Sequence, residues 1–307
     1  MKKTILFLFI SCLSFSFGQN LKLVDSLQRL LPSVPDTTKL HFLSDMSWEL
    51  RTENKSKALD LAKQELELAQ TLNIPKAIAQ GHNDVGIIYF QKGNMAEALS
   101  SYMQSLAIRE KLNDKNLIAS SLNKIALIYH DMGKYSEALE MQLKILNIYQ
   151  EQNNLKYISY TYNNIGELYN QQNNYDKALE YWDKVIDINL KLGDKYTLGG
   201  SYSGRAIIYE KQKKYDLAIE SLNKGAQLFL EIRDYDDYSA CMNNLGQVYR
   251  DLGENKKGLQ AYHNALDMSI KYDDAHGQAK YLCNIGLVEI EEGPHISLRL
   301  FSNFITY

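Results

Sequence analysis

The sequence has no surplus of positive charge, no recognisable catalytic motif and only three cysteines. Its formal net charge is −3, whereas a nucleic-acid-binding protein normally presents a basic face, so we expect no nucleic-acid partner. It contains no HExxH, no Cys/His spacing typical of a metal site and no Gly-x-Ser-x-Gly. We therefore predict a protein that is not an enzyme and that needs neither a metal nor another cofactor.

Long apolar runs are missing beyond the N-terminus. No later stretch approaches the roughly 18 consecutive apolar residues of a membrane-spanning helix, so we expect no transmembrane segment in the mature chain. Cys241 and Cys283 fall on the first helices of adjacent repeats, as described below. The axes of such helices should lie about 8–10 Å apart, whereas a disulfide requires Cα atoms about 4.4–6.8 Å apart. We favour two packed thiols over a disulfide.

Residues 1–18 have a composition of their own. Lys2 and Lys3 precede an apolar run that reaches Phe17, and Ser16 and Gly18 supply the small residues that a signal peptidase requires. The segment resembles a cleaved signal peptide of Gram-negative type. It predicts a protein exported to the periplasm or cell envelope, or secreted. An uncleaved N-terminal anchor and lipid attachment to the cysteine of this segment are the alternatives.

What the sequence does contain is a strict internal period. Tyrosine recurs at one position of the period and alanine at another, each over five copies at constant spacing. Such an interval indicates one supersecondary unit stacked repeatedly, and such units form solenoids that commonly hold other proteins. The tyrosines are Tyr89, Tyr129, Tyr169, Tyr209 and Tyr249, and the alanines are Ala58, Ala98, Ala138, Ala178 and Ala218.

One period, residues 156–195, is typical of two antiparallel helices. Tyr162, Ile165 and Tyr169 follow the 3–4 spacing of one helical face, and a second apolar stripe begins at Ala178. Residues 19–35 indicate an N-terminal capping helix, and residues 293–307 an atypical tail that lacks the pattern. The predicted repeats lie at 36–75, 76–115, 116–155, 156–195, 196–235 and 236–275, with a half repeat at 276–292.

Polar and small residues recur at the ends of the predicted helices. Gly and Asn tolerate the left-handed conformation that ends a helix, and Asp, Asn and Ser cap free amides at a helix start. The left-handed position holds Gly93, Gly133, Asn173 and Gly253. The capping positions hold Asp114, Asn154, Asp194, Asp234 and Asp274 before first helices, and Ser136, Asp176 and Asp216 before second helices. Close helix approach is expected at Gly86, Ala126, Gly166, Ala206, Gly246 and Gly286.

These positions resemble the tetratricopeptide repeat in its longer form. That family places a leucine-glycine pair and a tyrosine on the first helix, as Ile165, Gly166 and Tyr169 do here. On the second helix it places alanine and an aromatic residue, as in Ala178 and Trp182. The resemblance implies an all-α, right-handed α-solenoid of about six helix pairs, whose first helices line a concave groove for an extended peptide or a partner helix.

The resemblance also implies which residues face a ligand. The residue before the core leucine of the first helix is often asparagine in peptide-binding arrays, where its amide can pair with the ligand backbone. The matching residues are Asp84, Lys124, Asn164, Gly204, Asn244 and Asn284, and candidates one turn later include His130, Asn170, Glu210 and Arg250. The alternative is that these side chains decorate a polar helix face or bond a neighbouring repeat. A second ladder, Asn83, Asn123, Asn163 and Asn243, is expected to join adjacent first helices.

Arg205 departs from the pattern, because the same position otherwise holds Val85, Ile125, Ile165, Leu245 and Ile285. A buried unpaired charge is very costly, so the side chain must reach water or a carboxylate. Nearby glycines at 199, 200 and 204 weaken the same helix by about 1 kcal/mol each relative to alanine. An anion-receiving or flexible site is one interpretation of Arg205, and local sequence drift is the one we favour.

The sequence thus predicts a non-enzymatic scaffold, exported to the cell envelope, with a protein or peptide as its partner. The combination of signal peptide and repeat array is similar to the periplasmic input region of bacterial sensor histidine kinases. A truncated sensory input region, acting in signal transduction, is therefore one alternative. A self-associating structural scaffold is another.

Overall fold

The computed structural model describes residues 21–292, and within that range it is built of helices and contains no strand. The helices are α1 (residues 21–30), α2 (Asp36–Leu50), α3 (Lys55–Thr71), α4 (Pro75–Gln91), α5 (Met95–Lys111), α6 (Lys115–Asp131), α7 (Tyr135–Glu151), α8 (Leu155–Gln171), α9 (Tyr175–Leu192), α10 (Lys195–Lys211), α11 (Tyr215–Ile232), α12 (Tyr235–Asp251), α13 (Asn255–Lys271) and α14 (Ala275–Glu292), with a 3₁₀ helix at Leu31–Ser33. The predicted signal peptide and the predicted tail lie outside the described residues.

The chain divides into two compact units at Ile148 and Tyr149. In the N-terminal unit α2 packs on α3 and α4 on α5, and in the C-terminal unit α8 packs on α9, α10 on α11 and α12 on α13. From α4 onward, first helices begin at a constant interval equal to the period of the sequence, and so do second helices from α5. The prediction of an all-α fold built of repeated helix pairs is confirmed.

Helix ends follow local chemistry. The side chains of Asp114, Asn154, Asp194, Asp234 and Asp274 accept a hydrogen bond from the backbone N–H three residues later, as predicted. Gly93, Gly133, Asn173 and Gly253 have positive φ angles, also as predicted.

The predicted caps of the second helices were wrong, because they were placed too late in the sequence. The helices α7, α9 and α11 begin one residue before Ser136, Asp176 and Asp216, which therefore lie inside the first turn. The cap of α9 is Asn174, whose side chain accepts from the Lys177 N–H, and Lys214 at the cap position of α11 makes no such bond. The acidic residues Asp176 and Asp216 in the first turn still stabilise their helices through the helix dipole.

The small residues of the first helices accommodate the large residues of the second. A Cβ added at Gly86 would lie 2.7 Å from Cδ1 of Tyr102, and one added at Gly166 would lie 3.1 Å from Nε1 of Trp182. The alanines of the five-copy series, Ala58 to Ala218, are fully buried. Both sets are sites where a larger side chain would push the helix pair apart.

Candidate functional site

Three first helices of the C-terminal unit, α8, α10 and α12, line a cavity of about 570 Å³. Equivalent residues of these helices face the same space, because the repeats are stacked in register. One such row is Tyr160, Gly200 and Ala240, and another is Asn164, Gly204 and Asn244. We call this surface the α8–α10–α12 groove.

The floor of the groove is aromatic and comes from the second helices. Trp182 of α9 and Phe229 of α11 are both buried and both line the cavity. The indole N–H of Trp182 donates to Oδ1 of Asn163 at 3.2 Å, which fixes the ring. The floor beneath the groove is therefore rigid and apolar.

The glycines of α10 make room for this floor. A Cβ at Gly204 would lie 2.7 Å from Cζ2 of Trp182, and one at Gly199 would lie 2.9 Å from Cζ of Phe229. Gly200 has no atom within 4 Å of its virtual Cβ, so it widens the open side of the groove. Close packing is a physical reason for glycine at 199 and 204, in place of the flexibility considered from the sequence.

The predicted amide row is brought together in part. Asn164 is exposed on the groove wall and hydrogen-bonds no other described residue. Asn244 also lines the groove, and its Oδ1 accepts from Asn243 at 3.3 Å. Asn284 instead donates to Oδ1 of Asn243 at 2.6 Å, which ties α14 to α12. The amide of Asn164 and the Nδ2 group of Asn244 therefore remain available on either side of Gly204.

The groove is acidic rather than basic. Its lining includes Glu167 and Asp237 and no Lys, Arg or His. Burial, reinforced by Asp234, raises the pKa of Asp237, and Asp237 in turn raises the pKa of Tyr196. Burial raises the pKa of Cys241 to about 11, so this thiol is neutral at physiological pH. The charges favour a neutral or cationic ligand.

The candidates one turn later do not line this cavity. Asn170 is buried, donating to Glu167 at 3.5 Å and accepting from Lys211 at 3.5 Å. Arg250 lies in the last turn of α12, and His130, in the N-terminal unit, pairs with Asp131 at 3.3 Å. Asp84 and Lys124 also belong to the N-terminal unit.

Most of the second asparagine ladder bonds within a repeat. Asn123 accepts from Gln142 at 3.1 Å and Asn163 accepts from Trp182, so each joins the two helices of its own hairpin. Asn83 donates to the adjacent Asp84, and Asn243 bonds the next first helix through Asn284. The expected link between adjacent first helices is present only at Asn243 among the described members of the ladder.

Arg205 is paired and lies outside the groove lining. Its Nη1 contacts Oδ1 of Asp183 on α9 at 3.0 Å, and its Nη2 donates to the hydroxyl of Tyr209 at 2.9 Å. The guanidinium also lies over the Tyr209 ring, with 5.6 Å between Cζ and the ring centroid. Asp183 therefore supplies the carboxylate that an arginine at this otherwise apolar position requires.

The sequence did not point to the aromatic floor. Trp182 and Phe229 lie on second helices, whereas the resemblance predicts a groove built from first helices alone. The signal that could have found them is the run of glycines facing them on α10. Glycine at positions 199 and 204 gives the large rings of Trp182 and Phe229 room to pack against α10.

The thiols are free, and they differ in exposure. Cys241 is buried, whereas Cys283 is exposed, so the expectation of two packed thiols was wrong for Cys283. Over residues 21–292, no cluster of His, Cys, Asp and Glu has the arrangement of a metal site. In the same range, every helix is too short or too polar to cross a membrane.

Family models for the tetratricopeptide repeat match residues 77–151, 157–231 and 239–271, which together make up more than half of the chain. The chain belongs to the tetratricopeptide repeat family. No curated protein matches the sequence significantly.

Similar solved structures have the same fold. A signal transduction ATPase of the STAND class with a tetratricopeptide repeat sensor, from Pyrococcus horikoshii, has a TM-score of 0.72 at 19% identity, over 89% of this chain and 43% of that one. The chain therefore spans less than half of that protein. BtubC from P. vanneervenii has a TM-score of 0.63 at 18% identity, over 72% and 92%. A Rap protein complexed with Competence and Sporulation Factor has a TM-score of 0.54 at 16% identity, over 87% and 79%.

Proposed function

We propose that this protein is a non-catalytic scaffold that holds an extended peptide segment of a partner protein in the α8–α10–α12 groove. The observation that carries the proposal is the combination of an aromatic floor with the amide of Asn164 and the amide N–H groups of Asn244 on the wall. The amide of asparagine can hydrogen-bond the backbone of a peptide whatever its sequence. The apolar floor can bury one of the peptide's side chains. Membership of the tetratricopeptide repeat family and the similarity to the Rap protein complex are consistent with a peptide-binding function.

The groove also suggests the character of the segment. Trp182 and Phe229 favour a large apolar or aromatic side chain, which enters beside Gly200. Glu167 and Asp237 favour a basic residue next to it, because opposite charges steer association and fix register. Asn164 and Asn244 would pair with the backbone on either side.

The test begins with a phage-displayed library of random dodecapeptides, panned against the chain that starts at Gln19. The expected result is enrichment of sequences with an aromatic or large aliphatic residue beside Lys or Arg. The strongest peptide is then labelled and its affinity measured by fluorescence polarisation. A protein that enriches no sequence, or only acidic ones, contradicts the proposal.

A matched pair of variants localises the binding. Gly200→Trp fills the open side of the groove and should weaken the peptide at least tenfold, whereas Gly200→Ala should leave its affinity nearly unchanged. Asn164→Ala and Asn244→Ala should each weaken it by about 1 kcal/mol, the usual net contribution of a hydrogen bond. Asn223→Ala, exposed on α11 and outside the groove lining, is the control. Equal binding by Gly200→Trp and wild type would place the peptide elsewhere.

We also propose that the protein is exported, on the strength of the basic start and apolar run of its N-terminal segment. Mass spectrometry of the protein recovered from its native host should find Gln19 at the mature N-terminus. Recovery of residues 1–18 on the protein in the cytosolic fraction would overturn this proposal.

A further inference from the structure

The N-terminal unit has a cavity of its own, of about 590 Å³. Leu40 of α2, Ala77 of α4 and Leu117 of α6 make its walls largely apolar. Glu65 of α3 and Arg109 of α5 also line it, and these two come from second helices. The size lies within the range of about 300–1,000 Å³ typical of small-molecule sites.

Glu65 and Arg109 are charged residues at buried positions of the repeat. Each side chain is only 2% exposed. The position of Glu65 holds Ser105, Ile145, Val185, Gly225 and Ala265 in the other repeats, and the position of Arg109 holds Ala69, Tyr149, Asn189, Phe229 and Ser269. The hairpin therefore folds without a charge at either position. Burying a charge there costs several kcal/mol, so packing alone does not explain the presence of Glu65 and Arg109.

Arg109 is incompletely satisfied by the protein. Its Nη1 donates to the Leu117 carbonyl at 3.2 Å and to Ser121 Oγ at 2.8 Å, and its Nη2 donates to Gln80 Oε1 at 3.3 Å. Its Nε–H has no partner among the described residues, and no carboxylate there lies within 4.0 Å of it. Nη2 makes one of its two possible hydrogen bonds, so the guanidinium keeps unused donors at Nε and Nη2 that a carboxylate could engage.

Nearby carboxyl groups do not neutralise this cation directly. Asp84 is engaged by Ser44 Oγ at 2.8 Å, Gln80 Nε2 at 2.8 Å and Asn83 Nδ2 at 2.9 Å. Burial lowers the pKa of Arg109, and the charges of Asp84 and Asp114 only partly offset this effect.

Glu65 is a buried carboxyl group beside the same cavity, and it hydrogen-bonds Asp84. Burial, followed by the charge of Asp84, raises its pKa to about 9, so the carboxyl group keeps its proton at neutral pH. Its Oε2 has no hydrogen-bond partner among the described residues. With Glu65 neutral and Lys76 on the lining, the charges of this cavity wall are positive.

We propose that the cavity between α2, α4 and α6 binds a small monocarboxylate with an apolar body, held by the incompletely satisfied guanidinium of Arg109. A planar carboxylate matches two parallel N–H donors, and this pairing is stronger than one between neutral groups. The apolar body lies against Leu40, Ala77 and Leu117. The site is independent of the peptide groove, which belongs to the other unit.

The probe is a series of straight-chain carboxylates from butanoate to decanoate, measured by isothermal titration calorimetry on the chain that starts at Gln19. We expect affinity to rise with chain length, and octanoate to bind at least tenfold more tightly than its amide, octanamide. Equal binding of acid and amide, or no binding by any member of the series, overturns the proposal.

Two variants test the assignment in different ways. Arg109→Gln should weaken octanoate at least tenfold, with circular dichroism showing that helix content is kept. Ala77→Phe reduces the cavity volume while Arg109 is kept and should also abolish binding, so the test holds even where Arg109→Gln fails to fold. Arg250→Gln in the C-terminal unit is the matched control and should bind octanoate like wild type.

The two sites can fail separately. Arg109→Gln should leave the affinity of the panned dodecapeptide unchanged, and Gly200→Trp should leave octanoate binding unchanged. A dodecapeptide with a free C-terminus that competes with octanoate, while its amidated form does not, would show that the cavity also receives chain ends. If such a peptide binds and no free acid does, the small-molecule assignment is wrong.

Discussion

Gly246 of α12 lies directly against the ring of Tyr262 of α13, so closely that a methyl group at Gly246 would stand 2.6 Å from Cε1 of the tyrosine. Gly86 and Gly166 meet the rings of Tyr102 and Trp182 in the same way. By register, every full repeat from Gly86 onward has such a pair. The pairs are Gly86 and Tyr102, Ala126 and Gln142, Gly166 and Trp182, Ala206 and Leu222, and Gly246 and Tyr262. Glycine accompanies an aromatic residue, and alanine accompanies a smaller one.

Gly246→Ala should destabilise the protein although alanine is the better helix former. The overpacking against Tyr262 costs about 1–3 kcal/mol, against a gain of about 1 kcal/mol in helix propensity. Combining it with Tyr262→Leu, the pairing found at Ala206 and Leu222, should recover part of the loss. Urea denaturation of the two single variants and the double variant gives the coupling energy. Simple additivity of the two changes would contradict direct packing.

Arg205→Leu should leave stability unchanged or raise it by about 1–2 kcal/mol. Replacing a partly buried ion pair by a well-packed apolar residue is often neutral or stabilising, and leucine is the residue of the equivalent position 245. Asp183 is mostly exposed and remains hydrated without its partner. Urea denaturation supplies the comparison, with Arg205→Ala as the control that should lose stability. Loss of dodecapeptide affinity in Arg205→Leu would revive a role for this arginine in binding.

Glu65 should make stability fall as pH rises. Its pKa is about 9 in the folded chain against 4.5 for the free group, so the folded state holds the proton more tightly between these values. The contribution is complete below about pH 4.5 and is lost as pH rises through about 9. Within that window the free energy of unfolding should decrease by up to about 1.4 kcal/mol per pH unit from this group alone. Denaturation of wild type and Glu65→Gln from pH 5 to 9 measures it, and parallel curves would show that Glu65 does not titrate in this way.

Loss of the N-cap residue of α10, Asp194, should lower stability more than loss of Asp216 inside the first turn of α11. Asp194→Ala removes an acceptor for the Thr197 N–H at 3.1 Å and for the Thr197 hydroxyl at 2.9 Å, and should cost about 1–2 kcal/mol. Asp216→Ala removes only a favourable charge near the helix dipole and should cost about 0.3–1 kcal/mol. Thermal unfolding of both variants ranks them. The reverse order would place the true start of α11 at Asp216.

The two thiols of the described chain should react very differently. Cys283 is exposed and should be alkylated by iodoacetamide in the native protein. Cys241 is buried, its pKa is raised to about 11, and it contacts Ser203 Oγ at 3.1 Å, so it should react only on unfolding. Peptide mass spectrometry after a short labelling pulse, with and without urea, separates the two sites. Equal labelling in the native state would mean that α12 opens rapidly.

Much of the fold could be predicted from the sequence because the repeat makes each position visible several times. The constant period shows which residues share a face, and the recurrent Asp and Asn mark the starts of the first helices. The predicted starts of the second helices came too late in the sequence, because Ser136, Asp176 and Asp216 favour both a cap and a first turn.

The candidate site was less predictable, because a cavity depends on which side chains fail to fill space. Asn284 matched the amide row by register but is used to join α14 to α12. The repeat register shows that Glu65 and Arg109 occupy positions that carry no charge in the other repeats. Only the three-dimensional packing shows that both line the same cavity.

The alternation of glycine and alanine along the first helices gives neighbouring hairpins distinct identities. A chain made of near-copies risks docking a helix on the wrong copy during folding, a failure typical of repeat proteins. Ala126 or Ala206 placed opposite the indole of Trp182 would force the ring to shift, and Gly166 placed opposite Leu222 would leave a void. Because side-chain volumes match only within the native pairs, each first helix packs best against the second helix of its own repeat.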